Sequence, residues 1–399
     1  MRSGKTSGVG PGRSVRVLAS AVATLAIVFA PAAQSAGAAT SAPAVSPRPD
    51  LQRSLDAIVA AGALGVQAEV IDRQGVWRGV SGSARLDKRQ PVTQQGLFRI
   101  GSTTKTFTAT VLLQLVAEKR VGLDDPIERY LPRLVPNGKN ITVRQLLNHT
   151  SGLREYLQDT EAIPMSGVDF LTKVRFTSFT GEQLVSHSTK YAPDSPPGTR
   201  WSYSNTNYVL AGLIIAKVTG HSYEEEVQRR ILEPLGLWNT YVPGTRTSIR
   251  GSHAHGYMRV TQNGQTRSVD ITRLNPSWAG AAGEMISTTG DLNRFFAALL
   301  DGRLLPPAQL AAMKTTVPMG TGSSDGLGIV EWPLSCGTKV WGKDGTIQGF
   351  ETQSLHSSDG RRHISISVNT PEFLGANQQK IWAAIQKSAA TAFCDAPGQ

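Results

Sequence analysis

The 399-residue sequence predicts an α/β protein of the α+β type, in which one antiparallel sheet packs beside an all-helical lobe. Alternating strand patterns occur at 65–80, near the start of the chain, and again at 339–368, near its end. Helical spacing of apolar residues dominates the region between them. The simplest packing joins the early and late strands into one sheet and leaves the middle as a separate lobe. Clefts between two such lobes are common ligand sites.

Local patterns set the bounds of the predicted elements. A turn at Arg73-Gln74-Gly75 separates two alternating segments and predicts a β-hairpin. Apolar residues recur at helical spacing after Ser102, and Thr142 suits the N-cap of a short helix. Strands are predicted over 65–72, 76–80, 339–341, 348–355 and 363–368. Helices are predicted over 51–62, 102–118, 142–147, 208–219, 224–235, 289–300 and 375–393.

Composition and charge exclude two classes of protein. Hydrophobic residues make up 40% of the chain and charged residues 18%, which is not the composition of a disordered protein. The formal net charge is +11, but the lysines and arginines are scattered and no platform of stacking aromatics accompanies them. We therefore expect no nucleic-acid partner.

The N-terminal region has the pattern of an export signal. Arg13 and Arg16 precede an apolar run over 17–30, and small residues follow over 33–39. The run is too short for a comfortable membrane span, and no cysteine near it offers a lipid attachment site. We expect a signal peptide over 1–39, a Pro/Ser/Ala-rich linker over 40–50 and a secreted, extracellular protein without a membrane anchor.

The sequence contains two cysteines, Cys336 and Cys394. In an exported protein we expect them to form a disulfide, because oxidising compartments preserve such bonds. Closing a loop of 58 residues would stabilise the fold by about 4 kcal/mol on the chain-entropy model.

The first candidate catalytic motif is Gly101-Ser102-Thr103-Thr104-Lys105. Ser102 and Lys105 are three residues apart, so both side chains lie on one face of the predicted helix. The N–H groups at the start of a helix favour negative charge that develops near the serine. Lys105 would accept the serine hydroxyl proton if burial lowers its pKa. A helix N-cap beside a solvated lysine is the alternative interpretation of so short a motif.

The second motif is Tyr203-Ser204-Asn205. Tyr203 would act as a general base only if its pKa falls well below about 10, which two nearby ammonium groups would favour. The Asn205 amide offers a donor and an acceptor to a substrate amide. A simple turn is the alternative interpretation.

The third motif, Lys343-Asp344-Gly345-Thr346, is predicted on an edge strand. A glycine in such a strand lets the backbone approach a substrate closely. The backbone N–H groups of Thr346 and Ser102 would then form an oxyanion hole. An extended substrate would also pair with the strand edge.

Together the three motifs resemble the serine β-lactamase-related family of penicillin-recognising hydrolases, in particular secreted D-alanyl-D-alanine carboxypeptidases and class C β-lactamases. The resemblance covers about 51–395, which we predict to be one serine hydrolase domain, and it is marked over 141–153, 203–208 and 342–349. It implies the β-lactamase/transpeptidase-like fold, an antiparallel sheet flanked by terminal helices beside an all-α lobe. The nucleophile lies at the head of the helix between them.

The resemblance also implies a role for each motif residue. Ser102 attacks, Lys105 assists acylation, and Tyr203 is the acid/base. Substrate-binding roles are implied for Asn205, Lys343, Gly345, Thr346 and Trp278. The Trp278 assignment rests on the stretch 277–283, which is similar to cleft-lining sequence in carboxypeptidase relatives. A core tryptophan is the alternative for that residue.

Two positions depart from the family pattern. The strand motif is usually Lys-Thr-Gly or His-Thr-Gly, whereas this chain has Lys343-Asp344-Gly345. Asp344 would repel a substrate carboxylate unless a cation screens it. The closest carboxypeptidase relatives also carry an arginine on the preceding strand, where 328–333 contains a glutamate and no arginine. Both changes weaken the case for a substrate with a free C-terminal D-alanine.

The predicted function is a serine hydrolase that forms an acyl-enzyme on Ser102, with D-alanyl-D-alanine carboxypeptidase on peptidoglycan-type peptides as the first candidate. An esterase or D-amino-acid amidase on the same scaffold is the main alternative, with weak β-lactamase activity as a side reaction. A non-catalytic module that binds β-lactams or peptidoglycan is the second alternative. The expected partners are therefore small peptides or esters, including peptidoglycan stem peptides and β-lactams, and we expect a monomer.

We expect no cofactor and no metal. His253-Ala254-His255 has the spacing of a metal-binding pair, but no further ligand lies at a recognisable spacing, so loop histidines are preferred. His149 is a candidate base, but a hydrogen-bonded structural histidine is the better interpretation. Phosphate-binding and dinucleotide-binding glycine motifs are absent from the sequence.

Overall fold

The computed structural model describes residues 47–371 and 376–394. The predicted signal peptide over 1–39 and most of the predicted linker over 40–50 lie outside these residues. The first helix begins at Pro49, inside the predicted linker, because a proline suits the first turn of a helix. Within the described ranges, every helix is too short or too polar to cross a membrane.

The strands of the described residues fall into one large sheet and two small ones. Their bounds are β1 (Gly65–Asp72), β2 (Gly75–Gly82), β3 (Phe98–Arg99), β4 (Tyr257–Gln262), β5 (Gln265–Asp270), β6 (Ile286–Ser287), β7 (Val317–Pro318), β8 (Ser324–Asp325), β9 (Val330–Pro333), β10 (Lys339–Ile347), β11 (Phe350–Ser357) and β12 (His363–Asn369). The large sheet is antiparallel with the order β2-β1-β12-β11-β10-β9-β8-β7. Because β1 pairs with β12, the early and late strands share one sheet, as predicted.

Helices occupy both ends of the described chain and most of its middle. Their bounds are α1 (Pro49–Ala60), α2 (Thr104–Ala117), α3 (Val143–Leu147), α4 (Gly167–Asp169), α5 (Gly181–Thr189), α6 (Thr206–Thr219), α7 (Tyr223–Val227), α8 (Glu233–Leu235), α9 (Thr289–Leu300), α10 (Pro307–Met313) and α11 (Gln378–Phe393). Thr142 caps α3 as predicted, in a reciprocal capping box with Gln145. A π-helical segment at Gln228–Leu232 interrupts the predicted helix over 224–235.

Two apolar cores hold these layers together. One core joins the terminal helices α1 and α11 to one face of the large sheet, through side chains such as Leu55, Ile385 and Val70. The second core is larger and lies around α2, which is buried almost throughout, its threonines and Lys105 included. The predicted architecture of a sheet flanked by terminal helices is thus confirmed.

Two small sheets in the middle of the chain were not predicted. β4 and β5 form a hairpin whose second strand is largely exposed and polar, so it lacks the alternation of a half-buried strand. β3 and β6 contribute only two residues each, which is too short for a pattern. The described helical region is therefore not purely helical.

Cys336 and Cys394 form a disulfide in the structure, with their Cα atoms 5.9 Å apart. The bond joins the loop between β9 and β10 to the end of α11. It therefore links the terminal helical layer to the loop that leads into β10, the strand that carries the third sequence motif.

Candidate active site

Three predicted catalytic side chains meet at the start of α2. Ser102 lies in a 3-10 turn (Gly101–Thr103) directly before α2, and Lys105 lies in the first turn of that helix. The Lys105 Nζ atom is 3.0 Å from the Ser102 Oγ atom. The Tyr203 hydroxyl is 2.6 Å from the same Oγ atom. A serine flanked by two proton-transfer groups at hydrogen-bond distance has the geometry of an activated nucleophile.

The surroundings of Lys105 favour a neutral amine. The side chain is completely buried, and this burial, together with the positive charge of Lys343, holds its pKa well below the ordinary value. Its Nζ atom also lies 2.6 Å from Asn205 Oδ1 and 2.7 Å from the Ala282 carbonyl oxygen. A neutral amine has two N–H donors, which these two acceptors satisfy. Its lone pair is then left for the Ser102 hydroxyl, so Lys105 is placed to act as the base.

The pKa of Tyr203 is shifted upwards, whereas that of Lys105 is shifted downwards. Burial of its hydroxyl raises the pKa well above the ordinary value, and the carboxylates of Asp344, Glu155 and Asp325 add to this effect. The hydrogen bond with Ser102 opposes the rise but does not cancel it. A lowered pKa, the condition for a tyrosine base, is therefore not met. Tyr203 stays a neutral phenol, suited to donate a proton.

The low pKa of Lys105 predicts a pH profile. We expect kcat/KM for p-nitrophenyl acetate, which has no ionisable group, to rise with pH as Lys105 loses its proton in the free enzyme. The rise should level off below the pH at which an ordinary lysine titrates, because the pKa of Lys105 is lowered. Steady-state rates across the pH range provide the measurement.

Asp325 is the control for this profile, because burial raises the pKa of its carboxyl to about 7. The Asp325→Asn variant should keep the rising limb if Lys105 causes it. A limb that disappears in this variant, or a rate that rises only where an ordinary lysine deprotonates, would contradict the assignment.

Asn205 is oriented by a carboxylate that the sequence did not single out. Glu155 Oε2 accepts hydrogen bonds from the backbone N–H of Asn205 at 2.6 Å and from its side-chain amide at 2.8 Å. These bonds direct the Asn205 Oδ1 atom towards Lys105. The second amide hydrogen of Asn205 remains for a substrate carbonyl. Glu155 follows the resemblance stretch 141–153 by two residues, which is the signal that could have found it.

β10 carries the third motif past the nucleophile. β9 pairs with β10 only from Lys339 to Gly342. Within the described residues, the edge of β10 that faces β9 therefore has no neighbouring strand beyond Gly342. The backbone there lies directly against the serine turn. A side chain at Gly345 would overlap the Ile100 carbonyl, which explains the glycine. Thr346 and Ser102 line one cavity, where their N–H groups are the candidates for an oxyanion hole.

The cation of the third motif is already paired. Lys343 Nζ is 2.5 Å from Asp344 Oδ1, and the Lys343 side chain is only 7% exposed. Burial raises the pKa of Asp344, but the ammonium of Lys343 outweighs it and holds the pKa below its ordinary value. The pair is therefore ionic. A substrate carboxylate would have to compete with Asp344 for the Lys343 ammonium.

Asp325 is a second carboxyl group that the sequence did not single out. It lies on β8 and accepts a hydrogen bond from the Trp201 indole N–H at 2.9 Å. Trp201 precedes Tyr203 by two residues, so this bond attaches the second motif to the sheet. No signal in the sequence marks Asp325, because β8 is only two residues long.

A cavity of about 190 Å³ opens beside Ser102. Trp278 is 5% exposed and also lines this cavity, so the cleft-lining and buried interpretations of that residue both hold. Further side chains on the cavity wall are mainly apolar: Tyr156, Leu157, Met165, Ala279 and Ile347. The wall therefore suits an apolar group attached to the reacting carbonyl.

The histidines near the site have structural roles. The Nδ1 atom of His149 accepts hydrogen bonds from the Ser204 backbone N–H at 3.2 Å and the Asn207 amide at 3.1 Å. Burial holds its pKa well below the ordinary value, so His149 is neutral and its Nδ1 is occupied. His255 bonds to Asp270 and His253 to the Gly251 carbonyl. Among the described residues, no group of three or more metal-ligating side chains is assembled.

Comparisons with known proteins agree with this geometry. The Beta-lactamase family model matches residues 51–386. The putative penicillin-binding protein PbpX of Bacillus subtilis is 27% identical over 302 residues, which span 75% of this chain and 68% of that protein.

Two solved structures are similar over nearly their whole length. A D-stereospecific amidohydrolase from Streptomyces sp. is 41% identical with a TM-score of 0.78, over 87% of this chain and 99% of that one. The D-amino acid amidase of Ochrobactrum anthropi SV3, solved with D-phenylalanine, is 30% identical with a TM-score of 0.76, over 86% and 98%. The match over most of the chain confirms the predicted resemblance. This protein belongs to the Beta-lactamase family and is a serine hydrolase of the kind that includes penicillin-binding proteins, β-lactamases and D-amino acid amidases.

Proposed function

We propose that this protein is a secreted amidohydrolase that cleaves amides and esters of D-amino acids through an acyl-enzyme on Ser102. This is the main alternative of the sequence analysis rather than its first candidate. The amidohydrolase and the amidase that resemble the chain over nearly their whole length support it.

The observation that carries the proposal is the ion pair between Lys343 and Asp344. A carboxypeptidase substrate ends in a carboxylate, which needs an unpaired cation in the cleft. Here the Lys343 ammonium already has its counter-ion at 2.5 Å. An amino-acid amide or ester has no carboxylate and carries an ammonium group instead. With Lys105 neutral and Lys343 paired with Asp344, neither lysine offers a free cation to a substrate carboxylate, so the cleft suits an amide or ester better than a substrate that ends in a carboxylate.

Acylation follows from the distances around Ser102. Lys105 takes the hydroxyl proton while the Oγ atom attacks the substrate carbonyl carbon. The oxyanion that forms lies between the N–H groups of Ser102 and Thr346. Tyr203 gives its proton to the leaving amine or alkoxide, and the proton held by Lys105 restores the phenol. The products are the ester on Ser102 and free ammonia or alcohol.

Deacylation uses Lys105 again as the base. Water enters the place that the leaving group vacates and loses a proton to the amine of Lys105. Its oxygen attacks the ester carbonyl, and the bond to Ser102 Oγ breaks. The proton returns to that oxygen, so the free D-amino acid leaves and the enzyme is restored.

A panel of substrates tests the proposal. We expect D-phenylalanine amide and D-phenylalanine methyl ester to be hydrolysed with kcat/KM at least about tenfold above their L-enantiomers and above N-acetyl-D-alanyl-D-alanine. The apolar wall beside Ser102 should favour phenylalanine over alanine in the same series. Chiral chromatography of the released amino acid is the measurement. Efficient release of D-alanine from the peptide, with no turnover of the amide, would overturn the proposal.

The carboxypeptidase function remains the second candidate, because a penicillin-binding protein is among the relatives and Lys343 is present on β10. The same panel separates the two activities. A non-catalytic binding module would show no turnover of any compound and would still hold ligand after Ser102→Ala.

Two features support secretion. The export pattern over 1–39 predicts passage across a membrane. The disulfide between Cys336 and Cys394 is typical of oxidising compartments. Detection of the mature protein in culture medium, with the first 39 residues removed, would test this part of the proposal.

A further inference from the structure

A second cavity, of about 330 Å³, lies behind one wall of the active-site cavity. The segment 277–284 separates the two: Trp278 and Ala282 line the active-site cavity, whereas Gly280 and Glu284 line the second one. The second cavity has a largely apolar wall, formed by Phe179, Leu184, Val209, Leu213, Ala216 and Ala281. We call it the rear cavity.

Glu284 is a buried carboxyl group in the wall of the rear cavity. It is 3% exposed and takes no part in the chemistry at Ser102. Its Oε1 atom accepts a hydrogen bond from the Tyr223 hydroxyl. Its Oε2 atom has no partner at hydrogen-bond geometry among the described residues. Buried carboxyl oxygens without a partner are rare in folded proteins and call for an explanation.

Among the described residues, no cation forms a direct ion pair with Glu284. Burial and the carboxylate of Glu224 raise its pKa to about 8, while the Tyr223 hydroxyl, the Gly244 backbone N–H and the Arg99 guanidinium act in the opposite direction. Arg99 is not paired with Glu284 directly.

The two arginines nearest the cavity do not pair with Glu284. The Nη2 atom of Arg99 donates to the carbonyl oxygens of Thr247, Thr272 and Leu274, whereas its Nε and Nη1 atoms have no hydrogen-bond partner among the described residues. Arg246 pairs at 3.8 Å with Glu224, where both side chains are about half exposed. The described lining of the rear cavity contains two carboxyl groups and no Lys, Arg or His. The described wall of the cavity is therefore acidic and carries no positive charge of its own.

We propose that the rear cavity binds a small primary amine that carries an apolar group, with its ammonium on Glu284 Oε2 and its apolar part against α5 and α6. A cation would supply the hydrogen-bond donor and the charge that this oxygen lacks. The apolar wall would bury the rest of the ligand. The site does not depend on the proposed amidohydrolase function, since it uses none of the residues around Ser102.

Binding at this site has a chemical consequence. Below its pKa of about 8, Glu284 is mostly protonated in the free protein. An ammonium pairs with the ionised form, so the carboxyl group loses its proton to solvent as the amine binds. At a pH of about 6.5 the reaction should therefore release close to one proton for each amine bound.

Isothermal titration calorimetry with 2-phenylethylamine tests the proposal. Titrations at about pH 6.5 in two buffers of different ionisation enthalpy give both the affinity and the number of protons released. The neutral analogue 2-phenylethanol has the same apolar group without the charge. We expect it to bind at least about tenfold more weakly and to release no proton.

Two variants locate the site. Glu284→Gln keeps the size of the side chain and its bond to Tyr223 but removes the charge, and Ala216→Phe fills the rear cavity from α6. Each should weaken amine binding by at least about tenfold, and Glu284→Gln should abolish proton release. Both should retain ester turnover, which shows that they fold.

Three results would overturn the proposal. They are no binding by the native protein, equal binding by the native protein and both variants, and binding without proton release. Equal binding would place the amine at another site, including the active-site cleft. None of these results bears on whether amides of D-amino acids are substrates.

Discussion

Replacing Lys105 with methionine is expected to lower kcat/KM for D-phenylalanine methyl ester by about 10²–10⁴-fold, the range that a positioned general base contributes. We expect Lys105 to be the base because its amine is buried, its pKa is lowered and its N–H donors are taken by Asn205 and Ala282. Methionine has a similar length and suits the buried position, so the change removes the base with little change in volume. Initial rates with purified protein give the measurement.

Lys139 offers a matched control, because it is exposed on a turn away from these contacts. Lys139→Met should keep the native rate, and circular dichroism should show that both variants are folded. A Lys105→Met protein that is folded and hydrolyses the ester within about threefold of the native rate would contradict the role of Lys105 as the base.

Replacing Asp344 with threonine is expected to change which substrates the protein accepts. The variant loses the counter-ion of Lys343, so the buried ammonium becomes available to a substrate carboxylate. The freed Lys343 ammonium should stabilise a bound penicillin carboxylate by about 2 kcal/mol or more. Acylation by benzylpenicillin should therefore accelerate by about thirtyfold or more. Hydrolysis of D-phenylalanine amide should change less. Stopped-flow acylation rates and amide turnover are the two measurements.

Asp344→Glu is the matched control, since it keeps the negative charge beside Lys343. It should remain slow towards benzylpenicillin. Equal acylation rates in the native protein and in both variants would show that the Lys343–Asp344 pair does not exclude carboxylates. Asp344 would then not set the substrate specificity, while the acyl-transfer chemistry at Ser102 would be unaffected.

Much of the fold could be predicted because its signals are local. The turn at 73–75 and the alternation in 65–72 predict the β1–β2 hairpin, and Thr142 marks the start of α3. In β1 the apolar residues Val66, Ala68 and Val70 lie on one face, so the alternation marks the strand even though Gln67 and Glu69 on the other face are also buried. In the β4–β5 hairpin, β4 is partly buried but β5 is exposed and polar, so β5 leaves no alternating pattern in the sequence.

In the candidate site, too, the local motifs could be predicted, whereas contacts between distant residues could not. Ser102, Lys105 and Tyr203 could be named because their motifs are short and contiguous, although Tyr203 lies about a hundred residues from the other two. The direction of the Tyr203 pKa shift could not be predicted, because it depends on burial and on Glu155 and Asp325, which only the fold brings close. The pairing of Lys343 with Asp344 likewise needs the side-chain geometry of β10.

The most direct test of the account is the covalent state of Ser102 during turnover. The protein would be mixed with D-phenylalanine methyl ester, quenched in acid within the first turnovers, and analysed by intact-mass spectrometry and peptide mapping beside Ser102→Ala. We expect a single D-phenylalanyl group on the peptide that contains Ser102, and neither adduct nor ester turnover in the variant. An adduct on another residue, or ester hydrolysis by Ser102→Ala at the native rate, would contradict it.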